Sequence, residues 1–131
     1  MSQAILNALK TRLYATSALT TTFGSRIYLD QAPANAQLPL LIYRTPQFTT
    51  TPMFGSIVMH RADFEFQSFF DNTGSQTIHT GAANLATALA TPLTVTGFDR
   101  ATFQRIQAGV PSKTDDSWSM TETYRMTAFD T

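Results

Sequence analysis

The residues of this chain best suited to hold a metal or move a proton are its two histidines, His60 and His79. A metal site needs further ligands at set spacing, such as His-x-x-x-His or a histidine with nearby carboxylates, and neither histidine has them. Both read as packed side chains, and no metal is assigned. Asp115 and Asp116 are adjacent, but neighbours on an extended chain point apart, so they suit a solvated loop better than an acid–base pair. Asp63 and Glu65 share a strand face with Arg61, which reads as a cross-strand charge pattern. Serine and threonine are abundant, yet there is no Gly-x-Ser-x-Gly elbow, no Ser-x-x-Lys and no phosphate-cradling glycine loop. The expectation is a protein that is not an enzyme and carries no cofactor.

Aromatic side chains are the other candidates for chemistry. Among ten phenylalanines, Phe64, Phe66, Phe69 and Phe70 cluster closely enough to stack nucleic-acid bases. Base-stacking surfaces also need cationic residues to hold phosphate, and none are interleaved here, so the core reading wins. Nine basic and nine acidic residues cancel, the lysines Lys10 and Lys113 lie far apart, and the arginines are scattered singly. Nucleic acid can pass nearby without being gripped.

Charged residues make up 14% of the chain, against roughly 25% in an ordinary soluble domain. A surface with so little charge repels its neighbours weakly, which suits a subunit packed against other copies. Without cysteine there are no disulfides, thiolate metal sites or cysteine nucleophiles. No apolar run approaches the roughly twenty residues of a membrane span, and the N-terminal residues lack the continuous apolar stretch of a secretion signal. At 131 residues, one domain with one core is expected, large enough to fold without metals.

Elements follow from periodicity. Ile5, Leu6, Leu9 and Leu13 predict an amphipathic helix from Ser2 to about Leu19, fading into Thr20–Thr22 and broken at Gly24. Arg26–Leu29 forms a short extended piece. Leu40–Thr45 is a strand apolar on both faces, and its exit from Pro46 to Pro52 is a threonine-rich extended arm. Between Ile57 and Phe70 the alternation is clear, with Ala62, Phe64 and Phe66 on one face and Arg61, Asp63, Glu65 and Gln67 on the other. These strands make a hairpin with a long tip at Pro52–Ser56. An alanine-rich second helix carries Ile78, Ala82, Leu85 and Leu89, is capped at Ser75 or Thr77, and stops before Pro92. Two further strands, Ala101–Gln107 and Trp118–Phe129, flank a polar loop from Gly109 to Asp116. In the second of them Trp118, Met120, Tyr124, Met126 and Ala128 share a face. The predicted fold class is α+β: a single domain in which an antiparallel β-sheet carries two helices packed on one face.

Several phrases in this order carry a family likeness: Gly24-Ser25-Arg26-Ile27-Tyr28, Leu38-Pro39-Leu40-Leu41-Ile42-Tyr43, Arg61-Ala62-Asp63-Phe64-Glu65-Phe66, the helix Gly81–Leu89, and Tyr124-Arg125-Met126. Over nearly its whole length the chain resembles the tail-completion, or tail-terminator, proteins of tailed bacteriophages.

That resemblance implies a virion structural protein, made in the host bacterial cytoplasm and placed at the neck between tail and head. It implies a homo-oligomer, a hexameric ring, that caps the tail tube, ends its polymerisation and joins tail to head. Tail tube protein and a head-completion or connector protein are the implied partners, genomic DNA passes through the lumen without specific binding, and no membrane is involved. Candidate contacts lie on the arm from Gln47 to Gly55 (Thr49, Thr50, Thr51, Met53, Phe54), on the polar strand face (Arg61, Glu65), and on the loop from Ala108 to Ser117 (Lys113, Asp115, Asp116). A head-closure protein is the alternative within the virion; a small ligand-binding or enzymatic domain is the alternative outside it.

Overall fold

A computed structural model describes residues 2–71, 75–113 and 117–130. Ile5, Leu9 and Leu13 fall on one side of helix α1, Ser2–Ala15, and are fully buried. The expected single first helix is in fact two. Thr16 leaves helical backbone at φ −82° and ψ 109°, its hydroxyl donating to the Arg12 carbonyl at 2.8 Å, and helix α2 then runs over Ser17–Phe23. Thr20–Thr22, expected to end the helix, lie inside α2 instead. Their lost rotamer freedom is offset by burial of Leu19 and Phe23 and by hydroxyl bonds from Thr20 to Ser17 O and from Thr22 to Ala18 O. Gly24, at φ 61°, ends α2 in a conformation that a side chain would resist.

The strands are β1 (Ile27–Leu29), β2 (Leu40–Tyr43), β3 (Phe48–Pro52) and β4 (Val58–Asp71). Helix α3 (Ser75–Leu89) follows, then β5 (Phe98–Gln107), β6 (Ser112–Lys113) and β7 (Ser117–Asp130). They form one sheet in the order β1-β2-β4-β7-β5, with β3 also on β4 and β6 also on β7. The pairs are antiparallel except β1 with β2, which is parallel because the loop between them carries the chain back before β2 begins. Asp30, at φ 64°, starts that loop, and its carboxylate accepts the backbone and hydroxyl donors of Thr45 at 2.6 and 2.7 Å. The threonine-rich arm is therefore a paired strand, exposed but hydrogen-bonded to β4. The polar loop after β5 contains the short strand β6. Residues 72–74 and 114–116, which include part of the predicted turn after Phe70, lie outside the described residues, as do the side chains of the predicted caps Ser75 and Thr77.

β4 and β7 make the centre of the sheet, paired from Met59 with Phe129 to Asp71 with Ser117. On β4 the residues His60, Ala62, Phe64, Phe66, Ser68 and Phe70 are buried, while Arg61, Asp63 and Glu65 are exposed. On β7 the buried row is Met120, Glu122, Tyr124, Met126 and Ala128. All three helices among the described residues, one more than expected, contribute side chains to the hydrophobic core on this face, among them Leu9, Phe23, Ile78 and Leu85. Gly81 lets α3 press onto the sheet: a Cβ there would lie 2.7 Å from Phe70 Cζ. Helix α3 stops at Leu89, three residues before Pro92, and its last turn is held by Arg12 of α1. Truncating a buried ring such as Phe64 would cost about 3–5 kcal/mol.

Candidate interaction surface

With the helices gathered on one side, the middle of the opposite sheet face is polar, between Leu40, Ile42 and Phe69 at one end and Met59 and Phe129 at the other. Alternation on β4 puts Arg61, Asp63, Glu65 and Gln67 there, and the same period on β7 adds Thr121, Thr123, Arg125 and Thr127. Asp63 sits directly opposite Arg125, which donates from Nε to Oδ1 at 2.9 Å and from its second nitrogen to Oδ2 at 3.3 Å. Hydrogen bonds from Arg125 hold the Asp63 carboxyl below the usual carboxylate range, slight burial works the other way, and the charges of Arg125 and Arg61 add to the lowering. Two sequence candidates, Thr49 and Arg61, are cross-strand partners. With Gln47, Ala62, Asp63 and Arg125 they line a shallow polar concavity of about 300 Å³. Glu65 lies two residues along β4 from Asp63, exposed on the same face.

Thr49, Thr50 and Thr51 are all exposed on β3, and Thr49 donates its hydroxyl to the Arg61 carbonyl. Beyond them the chain turns through a tip closed by the Met53 amide bonding the Ile57 carbonyl at 2.8 Å. Met53, Phe54 and Ile57 are exposed at that tip, Phe54 at 91% of its surface. A phenylalanine this exposed at a hairpin tip offers apolar surface that contact with another surface would bury.

The third candidate region is pinned where it leaves β5. A Cβ on Gly109 would lie 2.3 Å from the Thr121 carbonyl oxygen, so the backbone is pressed against β7, and Val110 beside it is 82% exposed. Lys113 is exposed on β6 with its ammonium 5.9 Å from the centre of the Trp118 ring, a cation–π distance. Asp115 and Asp116 lie outside the described residues. Thus Thr49 and Arg61 come together and Met53 and Phe54 sit at the end of the same hairpin, whereas Lys113 belongs to a separate loop.

One buried carboxylate escaped the sequence reading. Glu122, 3% exposed, stands in the apolar row of β7 and meets Arg105 of β5 at 3.1 Å. Its position in the strict alternation of the strand was a usable signal. His60 is fully buried, its ring edge-on to Phe98 at 5.1 Å between centroids, which agrees with a packed histidine. Among the described residues no group of three or more His, Cys, Asp and Glu side chains could hold a metal ion.

Comparison with known proteins agrees with this architecture. A search of curated proteins finds no significant match. Among solved structures, the chain is similar to a component of the virion of a native gene transfer agent particle, with a TM-score of 0.74 at 18% identity over 94% of this chain and 92% of that one. A second solved chain, whose name carries no functional description, gives a TM-score of 0.70 at 13% identity over 98% and 95%. At such identities the likeness is one of fold. Residues 7–127 match the family described as "Tail completion protein gp17". That match takes in all of the sheet except the last residues of β7, and the chain belongs to this family of bacteriophage tail structural proteins.

Proposed function

We propose that this protein closes as a ring of six copies at the head-proximal end of the phage tail, caps the tube, ends its polymerisation and joins tail to head. The observation that carries the reading is the family match over residues 7–127. The surface supports it: sparse, balanced charge, an apolar hairpin tip and a polar sheet face suit packing among proteins more than capture of a small molecule. In this reading the tip at Met53 and Phe54, with Thr49–Thr51 behind it, meets a neighbouring subunit, the tail tube protein or the head-completion protein. The loop carrying Lys113, Asp115 and Asp116 does the same at another contact. Arg61 and Glu65 face the lumen or a subunit boundary, DNA passes without specific binding, and the mechanism is interface complementarity with no bond-making step.

A ring requires two different patches on each subunit, because a self-complementary patch closes as a dimer. The test is the mass of the purified protein by light scattering after size exclusion, with negative-stain imaging, alone and with purified tail tubes. Six copies of 14.4 kDa give about 86 kDa and a ring in projection. A monomer that neither assembles alone nor binds tube ends would sink the proposal.

A further inference from the structure

The two patches that a ring demands have a candidate in the backbone itself. Where β3 is present, the sheet reads β3-β4-β7-β5 across one level, with Phe48 beside Ala62, Ala62 beside Met126 and Met126 beside Phe103. β3 and β5 are therefore opposite edges of the same strip. Successive pairs in the strip are antiparallel, so β3 and β5 run in opposite directions.

Ladder phase decides which backbone groups are open. The Met53–Ile57 bond places the hydrogen-bonded pairs of β3 at Thr49 and Thr51, so the amides and carbonyls of Phe48 and Thr50 point away from β4. On β5, Ala101 exchanges both of its bonds with Leu93 on the side away from β7, and the same phase turns Phe103 and Arg105 outward. The bulges of β5 flank the regular run Ala101–Arg105 and do not interrupt it. Edges are commonly guarded by lysine or an interrupting proline, and Phe48–Thr51 contains neither, nor any charge.

We propose that a second copy of this chain binds by strand addition, the β3 edge of one copy pairing antiparallel with the β5 edge of the next. This rests on the head-to-tail ring proposed above and names its contact. The register follows from the open groups: Thr50 pairs with Phe103 and Phe48 with Arg105, which places Pro52 opposite Ala101. The match is complementary at that point, since Pro52 has no amide and Ala101 already spends its backbone bonds on Leu93. Side chains agree as well. Phe48 and Phe103, both half-buried, flank the Phe64 ring from opposite edges at 6.2 and 5.8 Å between centroids, so the apolar row of one copy runs on into that of the next. Thr49 and Thr51 meet Gln104 and Thr102 on the polar face.

The chain has no cysteine, which makes disulfide trapping clean. Thr49 and Gln104 form a non-hydrogen-bonded pair across the proposed contact, where Cβ atoms approach most closely. Oxidation of a T49C/Q104C double variant should give a reducible ladder of oligomers, an equimolar mixture of the single variants should give dimers alone, and each single variant should stay uncrosslinked. Thr50→Pro, which removes an outward amide and no bond to β4, should drop the light-scattering mass sixfold with an unchanged thermal midpoint. Self-crosslinking of T49C, or rings without any T49C/Q104C ladder, or rings that survive Thr50→Pro, would overturn the strand pairing while leaving the ring intact. A monomer under all these conditions, tail tubes included, would overturn both.

Discussion

The guanidinium of Arg12, in the first helix, donates to the carbonyl of Ala88 at 3.0 Å, although the two residues lie 76 positions apart in the chain. The same group reaches Thr91 O at 2.9 Å and Pro92 O at 3.0 Å, so one side chain ties the last turn of α3, whose Ala88 carbonyl faces the amide-less Pro92 at i+4, to the residues that follow the helix. Its charge also complements the negative end of the helix.

Replacing Arg12 by Met keeps the aliphatic stem and removes the fork. Hydrogen bonds from a charged group contribute about 1.5–3 kcal/mol, and urea unfolding should show a loss in that range. Arg12→Lys should recover only part, because an ammonium cannot span the same carbonyls. Full recovery by lysine would show that charge alone matters here.

Gly81→Ala sets helix propensity against packing. Alanine gains about 1 kcal/mol over glycine in a helix, but its Cβ would sit 2.7 Å from the buried Phe70 ring, and overpacking costs about 1–3 kcal/mol. Net destabilisation is expected by denaturant titration, eased when Phe70→Leu is added. A stabilised single variant would mean that α3 can lift off the sheet freely.

Acid should weaken the fold partly through Asp63. Its carboxyl is held below the ordinary value in the folded chain, so its contribution is fully present above the unfolded value of about 4 and is lost as pH falls through the lower, folded one. Asp63→Asn should be less stable than the parent at pH 7 and should converge with it at the acid end. Added salt should narrow the neutral-pH gap, since the pair is solvent-exposed. A gap that is equal at pH 7 and pH 2 would remove the ion pair as its source.

Phe54→Ser tests the hairpin tip. With 91% of its surface exposed, Phe54 contributes little to the fold, and the variant should unfold within about 0.5 kcal/mol of the parent. Tail–head joining, scored as infectious particles formed in a complementation assay, should fall. This substitution is a cleaner probe than deleting Thr49–Thr51, which would also remove the ladder between β3 and β4.

Much of this was legible in the sequence, for reasons that differ by element. β4 and β7 are each covered on one side only, so burial imposes a period of two that shows in the residue types. β3 is exposed along nearly its whole length, leaves no apolar alternation and reads as an arm, because its strand character resides in backbone bonds to β4. The break at Thr16 carries no glycine or proline, and its trace in the sequence is that Leu19 follows Leu13 by six residues, out of helical phase. In the candidate surface, the exposure of Arg61 and Glu65 followed from alternation. The partner of Asp63 did not: Arg61 is its near neighbour in sequence, but the register between β4 and β7 brings Arg125 opposite. Register also hides the match of Glu122 with Arg105.

The pairing of β4 with β7 bears on how the protein is made. Residues 59–71 find their partners at 117–129, so during synthesis the aromatic row of β4 has left the ribosome well before the strand that completes it. No local hairpin can substitute along its full length, because β2 and β3 take only the opposite edge of β4. Such long-range pairing makes folding slow relative to helical proteins, and it leaves Phe64, Phe66 and Phe70 uncovered on the nascent chain. Until β7 arrives, β4 presents both an apolar row and an unpaired edge, the two features that make incompletely folded chains prone to associate with one another.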